Sequence, residues 1–266
     1  MPTQFFDGID WSQAWFASVR PEADDLIAAP DWRVHLNTRA AQSAMCNHRE
    51  LALQFIPQAQ LPEGVAYEAH ISATGKVPTR ENLHDFFNAL VWLTFPLIKR
   101  QLNAMQSAQI ATLGIGKSRG PARDAATIFD ENAAILVLEE SAAGHSLLEN
   151  LRQHKWQAAF VDQAGLFGTQ AEVWSFGHAL MEKLVRPYKA ITAHTWVVWA
   201  EASFFQMAWD ARRVWLDQQV ATQLLTHNLT TADYTPLPVL GIPGWWPQQD
   251  AQFYADTSVF RAKRCK

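Results

Sequence analysis

Residues 81–96 read "ENLHDFFNALVWLTFP". Phe86, Phe87, Ala89, Leu90, Val91, Trp92 and Leu93 leave this stretch apolar on nearly every side. That is the pattern of a helix enclosed by other elements, not of one lying on a surface. His84, Asp85 and Asn88 are unexpected in such company. His84 and Asn88 are four apart and share a face, whereas Asp85 points about 100° away from His84. Buried polar side chains need partners. The stretch therefore predicts a central helix and, opposite its first turns, a second polar cluster.

Working outward, helices dominate from about Thr79 to Gln109. Thr79 or Asn82 caps the first, and Pro96 either kinks it or opens the next. Upstream, "ELALQFIPQ" (50–58) and "VAYEAHIS" (65–72) alternate in polarity around the turn signal "LPEG", which predicts a β-hairpin. Downstream, "AATIFDENAAILVL" (125–138) has two apolar runs around the polar "DEN" and predicts a second hairpin. "SLLENLRQHKWQAAF" and "AEVWSFGHALMEKLV" have helical spacing, "ITAHTWVVWA" suits a strand, and 202–226 a long helix. The class is α+β, a mostly helical single domain over 1–266 with two short hairpins in a small antiparallel or mixed sheet. The first 60 residues would wrap the body, and 235–262, rich in Pro and Trp, would form an ordered tail.

Composition narrows the function. A formal charge of −4 gives no broad basic field for nucleic acid. The longest apolar run, Phe86 to Ile98, contains Asn88 and Pro96 and is too short to span a bilayer. Cys46 and Cys265 form no disulfide or zinc pattern, and the start has no signal-peptide character, so a cytoplasmic setting is expected. The 12 Trp are scattered, which favours packing over one aromatic platform.

A second constellation occurs in "FGHALMEKL", where His178 and Glu182 stand four apart on one predicted helix face. A carboxylate one turn from an imidazole can raise its pKa and fix its tautomer; the bland alternative is an ordinary surface pair. His194 follows closely enough to return to the same place. "GIGKSRGPARD" (114–124) ends like a phosphate loop, but Ala111 stands where that motif needs Gly, so a nucleotide-binding loop is rejected. Arg119, Arg123 and the turn amides remain suited to a carboxylate or phosphate. Asp124 and Asp130 bracket the next strand, Asp130 as a turn residue first and a catalytic acid second. No HExxH, CxxC pair, EF-hand loop or GxSxG is present.

"NLHDFFNALVWLTFP", "RGPARDAATIFDENAAILV", "FGHALMEKL" and "PLPVLGIPGWWP" with "FYADTSVFR" together resemble an uncharacterised bacterial family, domain of unknown function 3025, from about Tyr67 to Arg261. The resemblance implies no activity. It does place His84, Asp85, Asn88, Arg123, Asp124, Asp130, His178 and Glu182 inside motif blocks. It also suggests that Trp245 and Trp246 close over the core or over a ligand.

Three functions fit these residues. The first is a hydrolase or lyase of a small polar or anionic molecule, with His84, Asp85, His178 and Glu182 as catalytic groups and Asn88, Arg123, Asp124, Asp130 and His194 binding. In that case a divalent metal such as zinc would be held by His84, His178 and Glu182. Without metal, Glu182 would orient His178 as base and Arg123 would hold an anionic group. The second is a ligand- or peptide-binding module without turnover. The third is a structural polar cluster. Oligomeric state is left open.

Overall fold

The computed structural model describes residues 4–113 and 121–263. The chain opens with α1 (Arg20–Ala28) and α2 (Trp32–Gln42), the second capped by Asp31, which accepts from the amides of Arg33 and Val34. β1 (Gln54–Pro57), α3 (Tyr67–Thr74) and β2 (Lys76–Thr79) follow. α4 (Leu83–Thr94) and α5 (Pro96–Leu113) form the centre, with Pro96 at the first position of α5. Next come α6 (Pro121–Asn132), β3 (Ala133–Glu139), α7 (Ala142–Arg152), β4 (Ala171–Ser175) and α8 (His178–Leu184). β5 (Thr192–Ala200), α9 (Trp209–Thr226), β6 (Thr235–Pro238) and α10 (Ala251–Tyr254) complete the α+β architecture.

Both expected hairpins are corrected. The stretch containing "YEAHIS" is α3, not a strand, and β1 pairs in parallel with β2 beyond it. Parallel strands need a crossover, and α3 supplies it. α3 stops at Gly75, whose φ of +72° suits glycine and whose absent side chain leaves room for Ala52 O, 2.4 Å from where a Cβ would stand. "TIFDEN" is likewise the end of α6. Ala125, Ala126 and Phe129 are buried at helical spacing, and β3 begins directly after Asn132. Its β-branched residues imitate a strand locally, but burial of one helical stripe prevails.

β3 is the hub of a mixed sheet in the order β4-β3-β5-β6. It runs antiparallel to β4 and parallel to β5, while β6 is antiparallel to β5. Elements cover both faces of β3, so six of its seven residues are buried, which explains its unbroken apolar run. "AEVWSFGHALMEKLV" is not one helix: Trp174 lies on β4 and His178 opens α8.

α4 is the enclosed helix its composition predicts. It packs against α8, α5, α1, α2 and β2, and every residue from Asp85 to Thr94 is buried. The N-terminal aromatics lie on it, with Phe6 stacked on Phe86 at 5.0 Å and Phe16 on Phe87 at 5.5 Å. Burying a ring of this size stabilises by roughly 1.5–3 kcal/mol. Among the described residues no helix is long and apolar enough to cross a membrane.

Candidate functional site

Asn82 caps α4 by accepting from the Asp85 amide at 2.8 Å, which sets His84 in the first turn facing α8. α8 starts immediately after Gly177. A Cβ there would stand 2.5 Å from Asn132 N and from Glu131 O, so only glycine lets the chain pass this close to the end of α6. The amides of Phe176 and Gly177 both donate to Ala133 O. His178 is thereby delivered between α4 and α6.

Four side chains then form a row. Glu182 Oε2 lies 2.9 Å from His84 Nδ1, and His84 Nε2 lies 3.1 Å from His178 Nε2. The rings meet edge to face, their centroids 4.5 Å apart. Beyond them His178 Nδ1 lies 3.9 Å from Asp130 Oδ2, outside hydrogen-bond reach, and has no bonded partner among the described residues. The row runs from the interior to the surface: His178 is 5% exposed, whereas the Glu182 side chain is 41% exposed.

Burial pushes the His178 pKa down to about 4; Asp130 pulls the other way, and the charges of Lys99 and His84 add to the depression. His178 is therefore neutral at pH 7. Burial alone would raise Asp130, but Lys99 and then His178 outweigh it and hold the carboxyl below the usual range. Lys99 is buried in α5, pairs with Asp130 and donates to Asn88 Oδ1 at 2.8 Å; Asn88 Nδ2 donates to Tyr67 OH at 3.0 Å. Burial raises Tyr67 well above its ordinary value, and burial followed by the Asp130 charge raises Glu68.

Above these groups lies a cavity of about 300 Å³, which His84, Asp85, Asn88, Asp130 and His178 all line. Tyr67, Glu68, Arg80, Gln106, Thr127 and Glu131 complete most of its wall. Glu68 also accepts from Asn103 Nδ2 at 2.6 Å.

His84, His178, Glu182, Asn88 and Asp130 are thus brought together. Asp85 is close but differently employed: Arg80 grips it with two side-chain bonds of 3.0 Å, and the Arg80 amide adds one of 2.6 Å. His84 and Asp85 diverge, as adjacent helical residues do. Glu182 orients His84 and not His178. Asp130 sits in the last turn of α6 instead of a hairpin turn. Arg123, half-buried and two turns before Asp130, lies near enough to Glu68 to pull its pKa down, but it does not line the cavity wall. Asp124 is exposed in the first turn of α6, where a carboxylate suits the helix dipole. His194 lies on β5, bonded to Asn132 at 3.0 Å, and takes no part in the row. Gly116, Lys117, Ser118 and Arg119 of the Gly-rich stretch fall outside the described residues.

The three expected metal ligands stand in line and do not converge, Glu182 on one nitrogen of His84 and His178 on the other. Among the described residues no group of three His, Cys, Asp or Glu is arranged to hold a metal ion. Trp245 packs against Trp15 and Trp246 against Phe253, so both cover the core.

Sequence reasoning missed Lys99, Tyr67, Glu68 and Arg80. Lys99, in the apolar "PLIKRQL", carried a signal of the same kind as His84: a charge within a helix that must be buried.

The chain is an α+β protein in which residues of α3, α4, α5, α6 and α8 line a polar, His-containing cavity. A family profile described as "Protein of unknown function (DUF3025)" matches residues 53–264, and the chain belongs to that family. No curated protein and no solved structure matches it.

Proposed function

We propose that the chain is an enzyme, a hydrolase or lyase, that seats a small polar molecule in the 300 Å³ cavity and moves a proton to or from it through His178 and His84. The observation that carries this reading is the row Asp130–His178–His84–Glu182, whose first three members line the cavity. Glu182 keeps a hydrogen on His84 Nδ1, so His84 Nε2 is the basic nitrogen. Neutral His178 donates its Nε2–H to it, which leaves His178 Nδ1 as a buried lone pair beside Asp130. A proton handed to the enclosed Nδ1 by way of Asp130, which lines the cavity, would be matched by one passed from Nε2 to His84. Glu182, at the solvent end, would stabilise the imidazolium so formed. Lys99 and Asn88 would hold Asp130 in place.

A divalent cation is the second reading, favoured by one feature: the two Nε2 atoms face each other, and each Nδ1 has a carboxylate behind it. Elemental analysis of the purified chain and of His178→Gln tests it. Metal near one equivalent in the parent alone supports the cation.

The enzyme reading is tested with panels of small esters, amides, phosphoesters and hydroxy acids, scored for product. His84→Gln and His178→Gln are expected to abolish turnover by at least about a hundredfold, the usual contribution of general acid–base catalysis, while both variants stay folded. Turnover retained in both variants sinks the relay.

A further inference from the structure

β5 is paired on both sides over only part of its length. β3 accompanies it from His194 to Ala200, whereas β6 accompanies it only from Thr192 to Thr195. Upstream of Thr235 the chain turns away into the short 3-10 turn Thr231–Asp233.

The direction of each main-chain group on β5 follows from its bonds. Ile191 O accepts from Val239 N at 3.0 Å, and Pro236 and Pro238, which have no N–H, stand opposite His194 and Thr192. Residues 191, 193 and 195 therefore face β6, and their even-numbered neighbours face β3. Ala200 O, accepting from Glu140 N at 2.9 Å on the β3 side, agrees. By the same alternation the N–H and C=O of Val197 and Trp199 face the side that β6 has left. Among the described residues no main-chain hydrogen bond reaches those four groups.

They border a groove of about 720 Å³. One wall is α7, with His145, Leu148 and Arg152; the other is the end of α9, with Gln223, Thr226 and His227. The floor is already ordered. The His145 ring lies 4.1 Å from that of Trp199, and Trp196 Nε1 donates to Gln223 Oε1 at 2.7 Å. The His227–Asp233 pair, 3.0 Å apart, and the neighbouring Glu149 and Arg152 leave no strong charge of one sign.

We propose that this groove binds an extended peptide segment of another protein, added as a strand in line with β6 and hydrogen-bonded to Val197 and Trp199. An unpaired strand edge is a template for another strand. The recess selects the occupant: the same edge of a second copy carries the same two helical walls and cannot enter, whereas a bare extended segment can. Recognition comes from main-chain bonds and from one apolar side chain set against Leu148 and Trp199, not from charge.

Amide exchange of the free chain is measured first, by NMR. Val197 and Trp199 are expected to exchange at least about tenfold faster than Trp196 and Val198, as solvent-facing amides do. A phage library of random ten-residue peptides is then selected on the chain, and the enriched sequences are synthesised. Bound peptides are expected to slow the Val197 and Trp199 amides, and N-methylation at alternate peptide residues is expected to abolish binding. Thr226→Trp, at an exposed position on the groove wall, should block the peptides while leaving the melting temperature unchanged. Slow amides in the free chain, no enriched peptide, or peptides indifferent to Thr226→Trp would each overturn the proposal. Concentration-dependent self-association that slows the same amides would overturn it in favour of a second copy.

Discussion

Two buried aspartates bind neighbouring residues in the first turn of α5, and they are used differently. Asp217 of α9 sits at the start of α5, where its two oxygens accept from the amides of Leu97 and Ile98 at 3.0 and 2.9 Å. Nearby, Arg213 donates to Thr94 O at 2.8 Å, tying the end of α4 to the same helix. Asp217 thus ends in main-chain bonds that fix a helix terminus. Asp130 instead pairs with Lys99, faces a histidine nitrogen that has no bonded partner among the described residues, and lines a cavity. Burial and charge alone do not separate a carboxylate that fixes a helix terminus from one that borders a cavity. Where its hydrogen bonds end does.

The largest expected effect tests whether Asp130 depends on a charge where Asp217 depends on amides. Lys99→Met leaves Asp130 buried beside no cation and should cost about 3–5 kcal/mol in urea unfolding. A loss under about 1 kcal/mol would mean that Asp130 is stabilised otherwise and would break the contrast.

The next effect is a pair of opposite pH dependences. His178 titrates near 4 when folded and 6.5 when unfolded, so the unfolded chain binds more protons between those values. Its contribution is complete above pH 6.5 and is lost as pH falls towards 4, by up to about 3 kcal/mol. Burial raises the Asp217 pKa to about 6 from 3.8, against its two amide bonds and Arg213. Here the folded chain binds more protons, so stability is greatest below pH 3.8 and falls as pH rises to 6, by a similar amount. Unfolding curves from pH 4 to 7 should therefore tilt one way in His178→Gln and the other way in Asp217→Asn. Tilts of the same sign would refute the assignment.

The smallest effect lies at the solvent end of the row. His84→Gln removes a half-exposed ring and should change stability by about 1 kcal/mol or less. Read beside the loss of turnover in that variant, it separates chemistry from folding. A melting point that drops as far as in Lys99→Met would make His84 a structural residue.

Much of this site was legible in the residues themselves. His84, Asn88, His178 and Glu182 stood out because polar groups four apart on apolar helices must meet something: His84 meets His178 and Glu182, and Asn88 meets Lys99 and Tyr67. Asp130 was visible but misplaced, because "TIFDEN" carries β-branched residues and turn formers in the last turns of a helix. Its stripe of Ala125, Ala126 and Phe129 is small and weak in a local window. Tyr67 and Glu68 were hidden by the same kind of error, since "VAYEAHIS" alternates by coincidence. The parallel pairing of β1 with β2 lies beyond any local pattern, because a crossover is decided by long-range packing. Which nitrogen of His84 faces which partner depends on helix-to-helix placement and has no signature in spacing.

Gly177 carries a consequence for the order of events in folding. The bare backbone there rests on the junction of α6 and β3, and the same contact sets the spacing of Asp130 and His178. His178 reaches its place beside Asp130 only once β4 has docked beside β3, because the chain enters α8 straight from that strand. The row is therefore completed only with the sheet. It cannot loosen alone while the sheet stays closed, so a ligand held there would act as a clasp on the whole sheet.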